Sequence, residues 1–206
     1  MLQGDEVSLY RALASVNGGA RDSFWRGSAR WIMGVGMSTI IAIDPGSSAG
    51  FAAFLDGRCV WCAQSAPKRE RLAAWREMLI AGETVIGRAP DRVVIEGPCY
   101  AANQGRSQGV TSDLAEHVGE LRALAWSLFG VEPESIRWDQ WQAVAHKGRA
   151  LGESRDRSLW YAREVAKVPD AWLVGPRGGV LWDAATAVAI GGAVRSLDHG
   201  NPTRPG

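Results

Sequence analysis

The sequence has little of three things that often define a class of protein at once: cysteine, net charge and long apolar runs. It contains 3 cysteines among 206 residues, and this odd count argues against a disulfide scaffold. Its net charge of +1 gives no global sign of nucleic-acid binding, so any such role must rest on local patches. No apolar run approaches the roughly 18 residues that a membrane span needs. We therefore expect a soluble cytoplasmic protein with no membrane partner.

Two of the cysteines, Cys59 and Cys62, have the spacing found in many zinc and redox motifs. The surrounding stretch "GRCVWCAQ" is typical of an extended strand, in which side chains three residues apart point to opposite faces. The sequence has no second pair with this spacing. The pattern therefore predicts two strand cysteines that do not share a metal ion.

Residues 1–36 differ from the rest of the chain because they lack a clear apolar period and include Gly18, Gly19 and Gly27. Met37 stands directly before the first well-defined apolar strand. We expect the ordered domain to span residues 37–198, between a leader at 1–36 that is flexible or a start-site artefact and a disordered tail at 199–206. Mass spectrometry of the natively expressed N-terminus tests the artefact, since an intact leader contradicts it.

Regular patterns begin after Met37 and predict three strands, a helix, a strand, a helix, a short strand and two more helices. The strands fall at residues 39–44, 49–55, 58–64 and 92–96 and within "SIRWDQWQAV", and an Asp56-Gly57 turn joins the second to the third as a hairpin. This order is typical of a mixed α/β sheet with helices on its faces.

Four helices are predicted from apolar residues that recur at steps of three and four. The first opens at Pro67, the second runs from a Ser112 N-cap to Gly130, the third spans residues 153–167 and the last spans 181–197. The side chains predicted to face inward include Leu72, Trp75 and Leu79 in the first helix and Leu159, Ala162 and Val165 in the third.

Three acids stand beside apolar runs, where a charge is costly unless something pairs with it. Asp44 ends the first strand, Glu96 ends the fourth, and Asp183 lies in the first turn of the last helix. Adjacent central strands would bring Asp44 beside Glu96, and a helix packed on the sheet could present Asp183 to both. Oxygen ligands of this kind favour Mg²⁺ or Mn²⁺, and two such ions about 3.5–4 Å apart cut phosphodiesters in many enzymes. Singly, these residues are also typical of a turn former, a surface acid and a helix-dipole partner.

The motifs around these acids resemble those of RuvC-type Holliday-junction resolvases. The segment "IRWDQWQAVAHKGRALGESRDRSLWYAREVA" is similar to the stretch before the family's last motif, and its Trp-Gln start is closest to phage-encoded members. "IIAIDPGSSAGFAAF", "PDRVVIEGP" and "DAATAVAIGGA" are similar to the family's first, second and last motifs, and the likeness runs from about Met37 to Leu197. The resemblance implies a ribonuclease H-like fold: a mixed five-stranded sheet with three antiparallel strands first and helices on both faces. It also implies a homodimer, in a bacterial or phage-infected cell, that nicks four-way DNA junctions in paired strands.

The resemblance assigns Asp44, Glu96 and Asp183 as catalytic residues and as ligands of two Mg²⁺ ions, with Mn²⁺ as a substitute. The sequence departs from the family at one position. Where the family's last helix has a second acid, three residues after the first, this chain has Thr186. Thr186 thus occupies a possible fourth-ligand position with a side chain that is a poor ligand for a hard cation.

Two stretches are candidates for DNA contact because they combine basic, polar and aromatic side chains. The candidate residues are Tyr100, Asn103, Arg106 and Gln108 in the loop after Glu96, and Lys147, Arg149, Arg155 and Arg157 before the last motif. A solvated helix face explains the second group equally well.

Two other functions stay open at the level of sequence. A catalytically weakened module of the same fold would grip branched DNA without cutting it, and Thr186 keeps this alternative in place. An actin-like ATPase fragment would use Asp44 and the Ser47-Ser48 turn to hold magnesium and phosphate. That fold needs two such domains, and the region after residue 36 is short for it.

Overall fold

The computed structural model describes residues 38–46, 48–65, 70–97, 108–147 and 152–200, without the side chains of 108–112, 199 and 200. All of these residues fall within one compact unit, Met37–Gly206. The predicted leader at residues 1–36 and residues 201–206 of the predicted tail lie outside the described ranges. In the part of the chain that is described, no helix is long and apolar enough to cross a membrane.

A five-stranded mixed sheet forms the centre of the domain. Its strands are β1 (Thr39–Asp44), β2 (Gly50–Leu55), β3 (Arg58–Gln64), β4 (Arg92–Glu96) and β5 (Glu134–Ile136), in the order β3-β2-β1-β4-β5. The first three strands are antiparallel neighbours, and β4 is parallel to both β1 and β5. This is the predicted mixed sheet with three antiparallel strands first.

Helices cover both faces of the sheet. They are α1 (Arg71–Ile86), α2 (Gln108–Phe129), α3 (Trp138–Ala145), α4 (Ser154–Trp160) and α5 (Trp182–Gly200), with a 3₁₀ turn at Asp170–Trp172. Successive residues of a strand point to opposite faces, so β1 packs Ile41 and Ile43 with α1 and α2 and packs Ile40 with α3, α4 and α5. Each face thus carries its own apolar cluster, as the predicted layering requires.

Several helix details differ from the sequence-based expectations. α2 begins at Gln108, so Ser112 lies inside the helix and is not its N-cap. Leu72, expected to face inward, is 48% exposed, whereas Trp75 and Leu79 are buried. α5 continues to Gly200, two residues beyond the predicted end of the domain.

The predicted third helix changes its geometry midway. α4 passes directly into a π-helical turn at Tyr161–Val165. A π-helix bonds each residue to the fifth one along and turns less per residue than an α-helix, so side chains beyond Tyr161 leave the predicted stripe. Ala162 remains fully buried, but Val165, expected to face inward, is 50% exposed.

A β-bulge in β3 overturns the prediction that Cys59 and Cys62 lie on opposite faces. Phe54 of β2 pairs with Cys59, but the preceding residue Ala53 pairs with Trp61, so β3 carries one extra residue at this point. Both cysteines consequently pack into the apolar cluster beneath α5. They are free thiols, Cys62 buried and Cys59 partly exposed.

Candidate active site

Two of the predicted acids lie side by side at the edge of the sheet formed by the carboxyl ends of its central strands. β1 ends at Asp44 and β4 ends at Glu96. The two strands are adjacent and parallel, and Ile43 pairs with Ile95, so each acid directly follows one member of this pair. The carboxyl ends of the central strands are the usual place for a ligand in open α/β sheets.

The first turn of α5 brings Asp183 to the same edge. The backbone of this turn lies against the start of β2, where Gly50 leaves room for it. The Asp183 amide donates a hydrogen bond to Oε1 of Gln64 (3.0 Å), which satisfies one of the donors left open at a helix start. The hydroxyl of Ser48 donates to Oδ2 of Asp183 (2.8 Å). Asp183 is therefore fixed through both its backbone and its side chain.

Asp44 is the electrostatic centre of this group. Burial raises the pKa of its carboxyl well above the usual value, and the negative charges of Glu96 and then Asp183 raise it further. A hydrogen bond from Thr186 and the positive charge of Arg155 act in the opposite direction. The charges of Glu96 and Asp183 therefore both act on Asp44 and make its ionisation costly. A bound cation would relieve that cost.

Thr186 lies one helical turn after Asp183 and faces the same cleft. Its hydroxyl is 3.1 Å from the carbonyl oxygen of Trp182, to which it can donate within the helix, and it is also a hydrogen-bond partner of the Asp44 carboxyl. A hydroxyl has one proton to donate, so it serves one of these acceptors at a time. The side chain contributes a neutral oxygen to the site.

The cleft above this edge has a volume of about 550 Å³. Besides the three acids and Thr186, its walls include residues of the β1–β2 turn, α3 and the start of α4, among them Ser48, Trp138, Trp141, Gln142, Ser154 and Arg155. Gln142 is held by a hydrogen bond from its side-chain amide to the hydroxyl of Ser154 (2.9 Å). α3 and α4 thus form the wall opposite the strand ends.

The donor set fits a hard divalent cation in part. Among the residues that the structure describes, no three carboxylate, histidine or cysteine side chains are close enough together to hold one ion by themselves. Mg²⁺ rarely uses an all-protein cage and is usually bound by one or two carboxylates, with waters and substrate phosphates completing its shell. Asp44 with Glu96 or Asp183 meets that requirement, and the remaining volume of the cleft is open to a phosphate.

The predicted DNA-contact residues differ in where the structure places them. Tyr100, Asn103, Arg106 and Arg149 lie outside the described residues, as does the side chain of Gln108 at the start of α2. Arg155 lies in the cleft, and Lys147 is exposed just after α3. Arg157 is half-buried, and its charge acts on His146 in the interior. Among the predicted contacts whose side chains the structure describes, Arg155 is therefore the one that lines the cleft.

Sequence reasoning missed the aromatic and amide residues of α3 as part of the site. Trp141 is almost fully buried, yet it lines the cleft and its indole nitrogen has no hydrogen-bond partner among the described residues. The signal was the amphipathic repeat in "WDQWQAVA", which puts Trp138, Trp141 and Gln142 on one side of a short helix. That pattern identifies a packed helix but not the cleft that it borders.

Comparisons with known proteins identify the fold. Two structures of RuvC from Thermus thermophilus match this chain, one of them in complex with a Holliday junction substrate. The complex matches with a TM-score of 0.55 at 12% identity, over 80% of this chain and 96% of RuvC. The other structure matches with a TM-score of 0.51 at 15% identity, over 79% of this chain and 96% of RuvC. No protein-family model and no curated protein matches the sequence.

The likeness to RuvC confirms the predicted ribonuclease H-like α/β fold. It extends over 96% of the RuvC chain and 80% of this one, whose centre is the mixed sheet that carries Asp44 and Glu96 on adjacent strands. At this low identity the likeness concerns the backbone, so the chemistry must be argued from the site itself.

Proposed function

We propose that this protein is a metal-dependent DNA endonuclease that resolves four-way junctions or other branched DNA by paired nicks. The observation that carries the proposal is the electrostatic grouping of Asp44, Glu96 and Asp183 in one cleft of a RuvC-like fold. Many enzymes that cleave phosphodiesters use such a group, because a cation held by carboxylates neutralises charge on the phosphate. The RuvC structure with a Holliday junction substrate supports branched DNA as the substrate class.

In this proposal Asp44, together with Glu96 or Asp183, holds Mg²⁺, for which Mn²⁺ can substitute, and waters and the substrate phosphate complete the shell of the ion. When bound, the ion activates the attacking water and stabilises the departing oxygen. Asp44 takes the central position because burial and the charges of both other acids disfavour its ionised form when no cation is bound. Ser48 orients Asp183 through their hydrogen bond. Trp138 and the buried Trp141 exclude water from one side of the cleft, and the half-buried Trp138 offers aromatic surface to the DNA.

The proposal includes a homodimer, since a twofold pair of identical sites matches two equivalent strands of a junction. It also includes contacts from Lys147 and Arg155 to the phosphates, and a cytoplasmic location where chromosomal or phage DNA is recombined, repaired or processed. The exposed position of Lys147 and the place of Arg155 in the cleft support these contacts.

A junction-cleavage assay with Mg²⁺ tests the proposal, with Asp44→Asn as the inactive variant. Asp56→Asn is a matched control, because Asp56 is exposed in the β2–β3 turn and lines no part of the cleft. We expect the wild type and Asp56→Asn to nick both strands, and Asp44→Asn to bind the junction in a gel-shift assay without nicking it. Cleavage that is unchanged in Asp44→Asn contradicts the proposed site.

One observation favours a second function, a module that binds branched DNA without cutting it. The neutral Thr186 stands at the position where the family's last helix carries a second acid. The same assay separates the two functions: a wild-type protein that binds four-way junctions with all its metal requirements met, and yet leaves them intact, is a binding module.

A further inference from the structure

The described walls of the cleft carry less negative charge than would balance the four positive charges of two divalent cations. Its described walls include three carboxylates, those of Asp44, Glu96 and Asp183, and one guanidinium, that of Arg155. These four groups leave a net charge of −2 when all are ionised, which one divalent cation neutralises. The internal stretches outside the description, residues 47, 66–69, 98–107 and 148–151, contain no Asp, Glu or His. They add no charged ligand to this count.

The number of negatively charged oxygen atoms in the cleft that could bind a cation is limited as well. One carboxylate oxygen of Asp183 already accepts the hydrogen bond from Ser48. Thr186, one turn further along α5, contributes a neutral hydroxyl that is engaged with the carbonyl of Trp182 or the carboxyl of Asp44. A carboxylate at this position would favour a second hard cation beside the first, because such ions prefer charged oxygens, and Thr186 does not supply one.

Arg155 lies where it can take over the role of a second cation. It is in the first turn of α4, exposed to solvent, and lines the cleft near enough to Asp44 for its charge to act on that carboxyl. Its planar guanidinium can donate two parallel hydrogen bonds to a phosphate and does not lose its proton. A fixed positive group at a phosphate stabilises the charge that develops there during cleavage.

We infer that the site binds one divalent cation and not two, and that Arg155 supplies the second positive charge to the scissile phosphate. This inference rests on the proposed function and revises the expectation of two ions that the sequence resemblance implies. In the hydrolysis, water adds to phosphorus, one phosphorus–oxygen ester bond breaks, and a proton from the water ends on the departing oxygen. Arg155 donates hydrogen bonds to phosphate oxygens throughout and remains protonated.

The inference predicts opposite effects of Arg155→Gln on metal binding and on cleavage. Arg155 repels a cation held at Asp44, so its removal should tighten Mn²⁺ binding about three- to tenfold. The same removal should slow single-turnover cleavage about 10²-fold or more, the usual cost of losing one donor that stabilises transition-state charge. A residue that only gripped the DNA would weaken junction binding and leave the single-turnover cleavage rate of the bound junction unchanged. Arg163→Gln is the matched control, because Arg163 is ion-paired with Asp170 and does not line the cleft.

Calorimetric titration of the metal-free full chain with Mn²⁺ gives the ion count, and the Mg²⁺ dependence of the cleavage rate checks it with DNA present. We expect one ion and a non-cooperative dependence for the wild type and Arg163→Gln. We expect two ions for Thr186→Asp combined with Arg155→Gln, which restores a fourth acid and removes the competing charge. Arg155→Gln alone, a change at an exposed position, tests the inference even where the double variant does not fold.

Three results would be contrary, and they bear on different claims. A wild type that cleaves junctions and binds two ions overturns the one-ion inference but leaves the proposed function intact. Unchanged or weaker Mn²⁺ binding by Arg155→Gln also overturns it. A wild type that binds no Mn²⁺ and cleaves no junction contradicts the proposed function itself.

Discussion

Gly50 and Asp183 are in direct backbone contact: a Cβ added at Gly50 would fall 1.9 Å from the carbonyl oxygen of Asp183. This close approach joins the start of β2 to the first turn of α5. It explains how an acid far along the chain from Asp44 comes to lie in the same cleft.

Gly50→Ala should therefore displace Asp183 from the site. A Cβ at that distance overlaps with backbone, which cannot move aside as a flexible side chain can, so α5 must shift. We expect cleavage to fall at least about tenfold, since a displacement of about 1 Å at a site is enough for such losses. Junction-cleavage rates measure the effect. Gly119→Ala is the control: it lies on an exposed part of α2 with open space around it, and should leave cleavage unchanged. Full activity of Gly50→Ala would contradict the packing described.

Asp44→Asn should stabilise the metal-free protein at neutral pH. Burial and the charges of Glu96 and Asp183 raise the pKa of Asp44, so the fold favours its neutral form. The resulting stabilisation is complete below the unfolded-state pKa of Asp and is lost as the pH rises through the higher folded-state pKa. An uncharged Asn should therefore raise the melting temperature in a chelator by about 2–4 °C. Differential scanning calorimetry at pH 7.5 measures this.

Added Mg²⁺ should reverse the order of the melting temperatures of the wild type and Asp44→Asn. It binds the folded wild type and raises its melting temperature, whereas Asp44→Asn lacks the central ligand and should not respond. Asp56→Asn should behave as the wild type does in both conditions. An equal Mg²⁺ response in wild type and Asp44→Asn argues against Asp44 as a ligand.

His146 should make the protein less stable in acid. Burial, and to a lesser extent the charge of Arg157, lowers its pKa to about 4 from an ordinary value of 6.5. The unfolded chain therefore takes up a proton on His146 before the folded chain does, and stability falls as the pH drops from 6.5 to about 4. The loss from this residue is up to about 3 kcal/mol.

Urea unfolding of wild type and His146→Gln across this pH range measures the contribution of His146. Gln stays neutral throughout, so the difference in unfolding free energy between the two proteins should shrink as the pH falls. Other titrating groups affect both proteins alike and cancel in the comparison. A constant difference across the range would show that His146 titrates equally in the folded and unfolded states.

Cys62 should resist alkylation in the folded protein. A hydrogen bond with Cys59 and burial raise the pKa of its thiol, and the thiolate is the form that reacts. We expect iodoacetamide at pH 8 to leave Cys62 unmodified in the native chain and to modify it in urea, as read by peptide mass spectrometry. Native modification as fast as that in urea would contradict the buried thiol pair in the bulged strand.

Most of the sheet followed directly from local sequence patterns. The apolar runs at β1, β2 and β4 are short and strongly β-branched or small, and each was bounded by turn residues, so their positions agree with the structure within a residue. The same reasoning located Asp44 and Glu96, because an acid at the end of a buried run is costly and stands out. Helix boundaries were less accurate where the signal was a cap, as at Ser112.

The failures have a common cause in interactions between neighbouring elements. The bulge that places Cys59 and Cys62 on one face depends on how β3 pairs with β2. The π-helical turn that exposes Val165 depends on packing around Tyr161, which lies against α5 at Gly192. Neither feature can be recognised from the hydrophobic periodicity of its own segment.

The sequence by itself determined the succession of strands along the chain, the amphipathic helices and the three acids. These features depend on local periodicity and on the cost of charge beside apolar runs. Only the tertiary structure decided that Asp183 reaches Asp44 across a backbone contact at Gly50, and that Arg155 joins them in the cleft. The physical reason is that the interaction between two charged side chains depends on the distance between them in the folded protein. Their separation is set by the packing of α4 and α5 against the sheet, and residue spacing does not encode it.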